Sequence, residues 1–285
     1  MVSSQGIMLE GVTSGSQNNC FWIKQLDVLL DIGICSRALI SMNQLLLTHV
    51  HTDHSAGLVY YLSQRKLFPL PKCSVYVHQE IKENLLKIIQ IWEQLEDMQY
   101  NYDLIGVQPD TKYPLTRNAF FTAHPVKHRV PALGYTIFET KQKLKPEYQS
   151  LSNQEIIALK KQNIPICDAL ETPILTYLGD CDFSSFTENS LFQKSEYLIM
   201  ECTYLDQWKD ISHAQRWGHI HLDQIIANIA LFQNIYRIIL THFSSRYSAE
   251  YIQKNIMNKC PPELLQKIVI WPMHQEADCH QLPLS

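Results

Sequence analysis

The chain has 285 residues, 46% of them hydrophobic and 18% charged, a composition that excludes a disordered chain and a coiled coil. Lys and Arg total 24 against 28 Asp and Glu, a formal charge of −4. That balance argues against a protein that coats nucleic acid through a general basic surface, while leaving room for a local basic patch. Taken in chain order, residues 21–23 and 26–32 read as a β-hairpin, and the apolar run 45–49 as a buried strand. Residues 51–57 are polar and loop-like, and 58–67 are helical. Residues 69–72 break the chain, 74–78 alternate as a strand, and 79–102 carry helical periodicity. Residues 119–123 and 133–139 read as strands around a loop with two His. The stretch 141–172, with five Lys (141, 143, 145, 160, 161) and a helical SNQEIIALKK, reads as an insertion outside the main sheet. Beyond it, the apolar runs 174–178, 197–201, 237–242 and 267–271 are separated by helices over 222–233 and 249–258. Strands alternating with helices indicate a layered α/β fold with a site at strand ends.

The longest apolar runs, residues 27–34 and 235–240, are too short to span a bilayer, and the opening MVSSQGIMLEG lacks the basic and apolar regions of a signal peptide. Eight scattered Cys with no C-x-x-C suit free thiols in a reducing cytoplasm. Twelve His are the compositional excess to follow, because imidazole is the commonest metal ligand. Three of them, with one Asp, fall in Thr48-His49-Val50-His51-Thr52-Asp53-His54-Ser55-Ala56-Gly57, directly after an apolar strand. His49 with His51, and Asp53 with His54, form two pairs that can serve two cations. Imidazole and carboxylate suit Zn²⁺, and also Mn²⁺ or Fe, and the absence of Cys argues against a closed structural zinc site.

This string resembles the motif of the metallo-β-lactamase superfamily, and the motifs after it resemble the ribonuclease Z family in its shorter-armed branch. The resemblance implies an α/β metallo-β-lactamase αββα four-layer sandwich, one domain over residues 1–285, with two Zn²⁺ at one end of the sheets. His128 opens an H-x5-G-Y stretch that ends in Gly134-Tyr135; His124 is the rival four residues earlier. Asp180 follows Tyr177-Leu178-Gly179, where the glycine permits a close turn. His242 stands in Thr241-His242-Phe243-Ser244-Ser245-Arg246-Tyr247. The implied ligand sets are His49, His51 and His128 on one metal and Asp53, His54 and His242 on the other, with Asp180 bridging.

The same resemblance assigns an acid. Glu201-Cys202-Thr203 matches the family's Glu-x-Thr at a strand end, and counting back five residues from Gln224 selects His219, with His221 as rival. Glu201 would orient His219 and raise its pKa. Asp31-Ile32-Gly33 matches the family's D-x-G, which would place Asp31 on the far ring nitrogen of a metal-bound His. The implied activity is a zinc-dependent endoribonuclease that removes the 3′ trailer of precursor tRNA. A metal-bound hydroxide attacks phosphorus, Asp53 holds it, and His219 serves the leaving oxygen.

The 52-residue interval between His128 and Asp180 leaves room for a short arm over 140–172, expected to grip RNA through Lys143 and Lys145. Arg129, Lys127 and Arg246 lie nearer the metal motifs and suit a phosphate. The family implies a homodimer, and the expected partner is precursor tRNA, with no membrane. Two other readings stand beside this one. The first is a phosphodiesterase or esterase of the same fold acting on a small molecule, the second a metal-binding scaffold without turnover. The resemblance runs from about residue 31 to 271 and departs from the family's Leu-Gly-Thr opening. Met273-His274 and Cys279-His280 in the tail read as either disordered or an oligomer contact.

Overall fold

A computed structural model describes residues 7–271 and 280–284. The first sheet takes β1 (Ile7–Ser14), β2 (Asn18–Ile23), β3 (Val28–Leu30) and β4 (Gln44–Leu46). The short helix α1 (Thr52–Ser55) and α2 (Leu58–Leu67) follow, then β5 (Cys73–His78), α3 (Lys82–Leu95) and β6 (Tyr102–Val107). The second sheet takes β7 (Tyr113–Thr116), β8 (Ala119–Val126), β9 (Ala132–Leu144) and, after α4 (Asn153–Lys161), β10 (Cys167–Tyr177). It continues with α5 (Phe183–Glu188), β11 (Tyr197–Glu201), α6 (Ile211–Trp217), α7 (Leu222–Ala227) and β12 (Arg237–Thr241). α8 (Ala249–Lys259), α9 (Pro262–Leu265) and β13 (Ile268–Ile270) complete it, and β14 (His280–Leu284) returns to the first sheet beside β1. The strand orders are β14-β1-β2-β3-β4-β5-β6 and β13-β12-β11-β10-β9-β8-β7.

Side-chain alternation along the strands builds the layers. Val28 and Leu30 face the second sheet, whereas Leu29 faces α2 and α3. Tyr197 and Ile199 point inward, whereas Leu198 and Met200 pack with α7 and α8. Three apolar clusters result, one between the sheets and one beneath each helical layer, which is an αββα sandwich. The strands most buried on both faces, β3, β4, β11 and β12, lie in parallel pairs, and for that reason they read as short continuous apolar runs.

Several elements depart from the sequence reading. A 3-10 turn at Lys24–Leu26 shortens the second hairpin strand to Val28–Leu30. The polar segment after His51 is a one-turn helix rather than a loop. The helix expected over 79–102 stops at Leu95, where Asp97 turns left-handed (φ 48°), and a strand begins at Tyr102. The helix expected over 222–233 breaks at Asn228 into α7 and a 3-10 turn.

The arm is not separate from the sheet. β9 and β10 stay paired from Tyr135↔Tyr177 to Leu144↔Cys167, outrunning β8, whose last partner is Glu139. The two-stranded ribbon carries a 3-10 turn and α4, with a capping box between Ser152 and Glu155. Of the tail, Met273, His274 and Cys279 lie outside the described residues. No disulfide joins the described cysteines, and among the described residues no helix is long and apolar enough to cross a membrane.

Candidate metal centre

β4, β8, β10, β11 and β12 end on the same side of the sandwich, and the chemistry-bearing residues follow each end. Asp31, buried and left-handed (φ 60°), organises the first of them. Its carboxylate accepts from the Thr48 backbone N–H (2.6 Å) and from Thr48 Oγ1, His54 Nδ1 and Tyr177 OH (2.7 Å each). The Thr48 hydroxyl, having donated, accepts from His49 Nδ1 at 3.0 Å. His128 Nδ1 donates to the Gly218 carbonyl at 2.8 Å. Thr203 donates to Glu201 and accepts from His242 Nδ1 at 2.9 Å.

These bonds engage the outer nitrogen of His49, His54, His128 and His242, so the inner Nε2 of each remains for a ligand. In one group, His49 Nε2 and His128 Nε2 lie 3.0 and 3.2 Å from His51 Nδ1, with Asp180 Oδ2 at 3.9 Å from His49 Nε2. In the other, His54 Nε2 lies 3.3 Å from Asp180 Oδ1 and 3.6 Å from Asp53 Oδ2. His242 Nε2 stands 3.2 Å from Asp180 Oδ2 and 3.3 Å from Asp53 Oδ2. Asp180 belongs to both groups.

The residues fit two cations. Facing imidazole nitrogens with their outer protons committed repel one another unless a cation lies between them. Four donors at about 2.0–2.1 Å from a tetrahedral zinc stand roughly 3.3 Å apart, close to the spacing here. Asp180 Oδ1 is buried with no well-formed hydrogen bond among the described residues, and the ring nitrogen facing it, His54 Nε2 at 3.3 Å, is itself free to bind a cation.

The electrostatics agree. Burial, then His54, push His49 well below the usual histidine range. Burial also lowers His51 and His128. Burial opposes charge on His54, but Asp180 and Asp31 outweigh it and lift its pKa well above normal. Burial disfavours the Asp180 charge as well, yet His242 and His54 hold it well below the carboxylate range.

His219 stands at the edge, its Nδ1 2.9 Å from Glu201 Oε1 and its ring stacked on His242 with centroids 5.5 Å apart. Burial works against its charge, but Glu201 and then Asp180 raise it to about 9. Glu201 is buried and also accepts from the Cys181 and Ile220 backbones. The rival His221 is occupied elsewhere. It caps α7 by accepting from Asp223 N at 3.0 Å, and its other nitrogen meets the Asp206 carbonyl. His124 faces Thr122 and Asp110 on β8, away from both groups. Gly179 turns left-handed (φ 60°), and a Cβ there would meet the Thr48 side chain at 2.7 Å, so the turn to Asp180 requires glycine.

Arg129 lies over the Trp217 ring beside His128, and Arg246 Nε donates to Ser244 two residues from His242. Lys143 and Lys145 are not brought to the centre. They sit at the far end of β9, which spans about 40 Å from Ala132 at 3.3 Å per residue.

Sequence reasoning missed Asn19, whose Nδ2 lies 3.1 Å from Asp53 Oδ2 and 3.0 Å from His54 Nε2. It also missed the Ser16 backbone N–H that donates to Asp53. Asn19 is buried near the start of the strand NNCFWI, next to a second Asn at 18, and its sequence carries no sign of its partners.

Two mixed sheets of this topology, with convergent His and Asp at their strand ends, define a metallo-β-lactamase-fold, metal-dependent hydrolase. No family model matches the chain. It is 31% identical over 260 residues to tRNase Z TRZ1 of Arabidopsis thaliana, covering 90% of this chain and 92% of that one. It is 30% identical over 258 residues to the chloroplastic tRNase Z TRZ2 of the same plant, covering 90% and 73%. The chain therefore belongs to the tRNase Z family. The fold matches human tRNase Z, short form, at a TM-score of 0.62 and 16% identity, over 98% of this chain and all of that one. YhfI of Bacillus subtilis, a metallo-β-lactamase fold protein, matches at 0.59 and 16% identity, over 96% and 99%.

Proposed function

We propose that the chain is a zinc-dependent endoribonuclease that removes the 3′ trailer of precursor tRNA, acting in the cytoplasm. The observation that carries the reading is His219, held charged by buried Glu201 at the rim of two ligand groups that share Asp180. A scaffold for metal alone has no use for a positioned acid. His49, His51, His128 and Asp180 would hold one Zn²⁺, and Asp53, His54, His242 and Asp180 the other. The bound metals supply an activated water and neutralise charge on the phosphate oxygens. Asp53, gripped by Asn19 and the Ser16 N–H, is placed to orient that water and accept its proton. His219 gives a proton to the departing 3′-oxygen, which leaves a 3′-hydroxyl on the tRNA. Arg246 takes the scissile phosphate, and Arg129 meets the neighbouring part of the substrate.

Two features support the remaining proposals. The ribbon at 140–172 carries Lys143 and Lys145 far from the centre, where they suit a distant part of the RNA. Ile88, Ile91, Trp92 and Leu95 recur at helical spacing on the outer face of α3 and are all exposed, which suits a homodimer contact.

The test incubates zinc-loaded protein with a precursor tRNA bearing a 3′ trailer, beside a chromogenic phosphodiester. We expect cutting at one position, abolished in Asp53→Ala and lowered at least 100-fold in His219→Ala with metal content retained. Turnover of the small diester alone overturns the reading in favour of a small-molecule hydrolase.

A further inference from the structure

A line of rings leads outward from the centre. Tyr204 lies 6.0 Å from His219, His213 lies 5.2 Å from Tyr204, and Trp217 lies 6.2 Å from His213, all between centroids. The Arg129 guanidinium closes the line, 4.4 Å above the Trp217 ring. Trp217 is 40% exposed, more than core packing of an indole requires.

The ladder is fixed to the metal site. Gly218 ends α6 in a left-handed turn (φ 69°), and its carbonyl accepts from His128 Nδ1. A Cβ on Gly218 would lie 2.8 Å from that same nitrogen. Trp217 is thus held one residue from the contact that aims a metal ligand. Beside it a cleft of about 380 Å³ is lined by Lys127, His128, Arg129 and Arg216. Lys127 is tied to Glu188, whereas Arg129 and Arg216 have no ion pair among the described residues.

We propose that Arg129 and Trp217 form a stacking platform for the unpaired nucleotide immediately 5′ of the scissile phosphate, the one that departs with the 3′-hydroxyl. This rests on the tRNA-processing reading above. The argument for the 5′ side is chemical. The departing oxygen must face His219, and the nucleotide that carries it lies on the same side, where the rings begin. An aromatic ring and a planar guanidinium accept any base by stacking, and Arg216 beside them takes its phosphate. Tyr204 and His213 line the way between His219 and Trp217.

The test compares kcat/KM for precursor tRNA with that for the chromogenic diester. For Trp217→Ala the ratio should fall about 10- to 100-fold, the range for loss of one base–aromatic stack. Trp217→Phe should restore most of it. Arg129→Lys should lower the ratio much as Arg129→Ala does, because an ammonium offers no plane. An abasic residue immediately 5′ of the cleavage position should slow the wild-type protein by a similar factor and cost Trp217→Ala nothing more. An unchanged ratio in Trp217→Ala, or a loss that follows an abasic residue on the 3′ side instead, overturns the platform while leaving the nuclease reading in place. A wild-type protein that turns over the diester and cuts no RNA overturns both.

Discussion

Asp31 shows how far a single residue outside the ligand groups shapes them. It binds no metal in the proposed scheme, yet its four hydrogen bonds fix the tautomer of His54, the backbone before His49 and, through the Thr48 hydroxyl, His49 itself. Its left-handed backbone costs an ordinary residue roughly 1–2 kcal/mol, which Asp and Asn bear best. Asp31→Asn keeps that conformation and turns an acceptor into a donor facing donors. We expect metal affinity to fall about 10- to 100-fold, read by competition with a chromogenic chelator. Unchanged affinity would mean that packing alone orients His54. The Asp-x-Gly spacing made Asp31 visible in the sequence, and Glu201 and His219 were legible for the same reason, because their chemistry demands particular residue types. Asn19 was not, because an amide in a strand declares no partner, and Asp53 lies 34 residues further on. The Glu201 carboxylate, at a strand end 18 residues before His219, meets the ring of His219, whereas His221 caps α7.

Among the elements, the strands buried on both faces were the most legible. The runs at 45–49, 197–201 and 237–242 are apolar because helices cover one side and the other sheet covers the other. β1, β6 and β14 carry weaker patterns, since edge and near-edge strands draw less of their identity from burial. Only Tyr102 of β6 falls within the helix expected over 79–102, and the rest of the strand carries no reading, because only tertiary pairing with β5 distinguishes it. Composition marks the lysine-rich segment but not its strands, because β9 and β10 pair with each other beyond the core. That geometry bears on RNA binding. Lys143 is exposed on the ribbon, whereas Lys145 leans toward Asp168 at 3.9 Å. If both meet phosphates, the double variant Lys143→Ala/Lys145→Ala should make log kcat/KM against log salt shallower by about 1–2 units, given a slope of about 0.9 per phosphate. An unchanged slope would place the RNA contacts elsewhere.

At the scale of the whole molecule, the centre joins the two halves of the chain. His49, His51, Asp53 and His54 follow the first sheet, and His128, Asp180 and His242 follow the second, so a bound cation ties one sheet to the other. Metal binding is then coupled to folding. A ligand at 100 times its Kd contributes about 2.7 kcal/mol, and a domain of this size shifts by roughly 2 °C per kcal/mol. With two sites, chelation should lower Tm by roughly 5–10 °C in a thermal melt. Protons must move too. Without metal, Asp180 and Asp31 hold His54 charged at neutral pH, its pKa well above the usual value. A metal needs the Nε2 lone pair, so binding expels that proton, and affinity rises with pH until His54 is neutral in the free protein. Calorimetric titration of zinc in two buffers of different ionisation enthalpy reads the proton count directly. At least one proton released per molecule near pH 7 is the expected result. None released would mean that the free protein already keeps both His54 and the ligand carboxylates unprotonated.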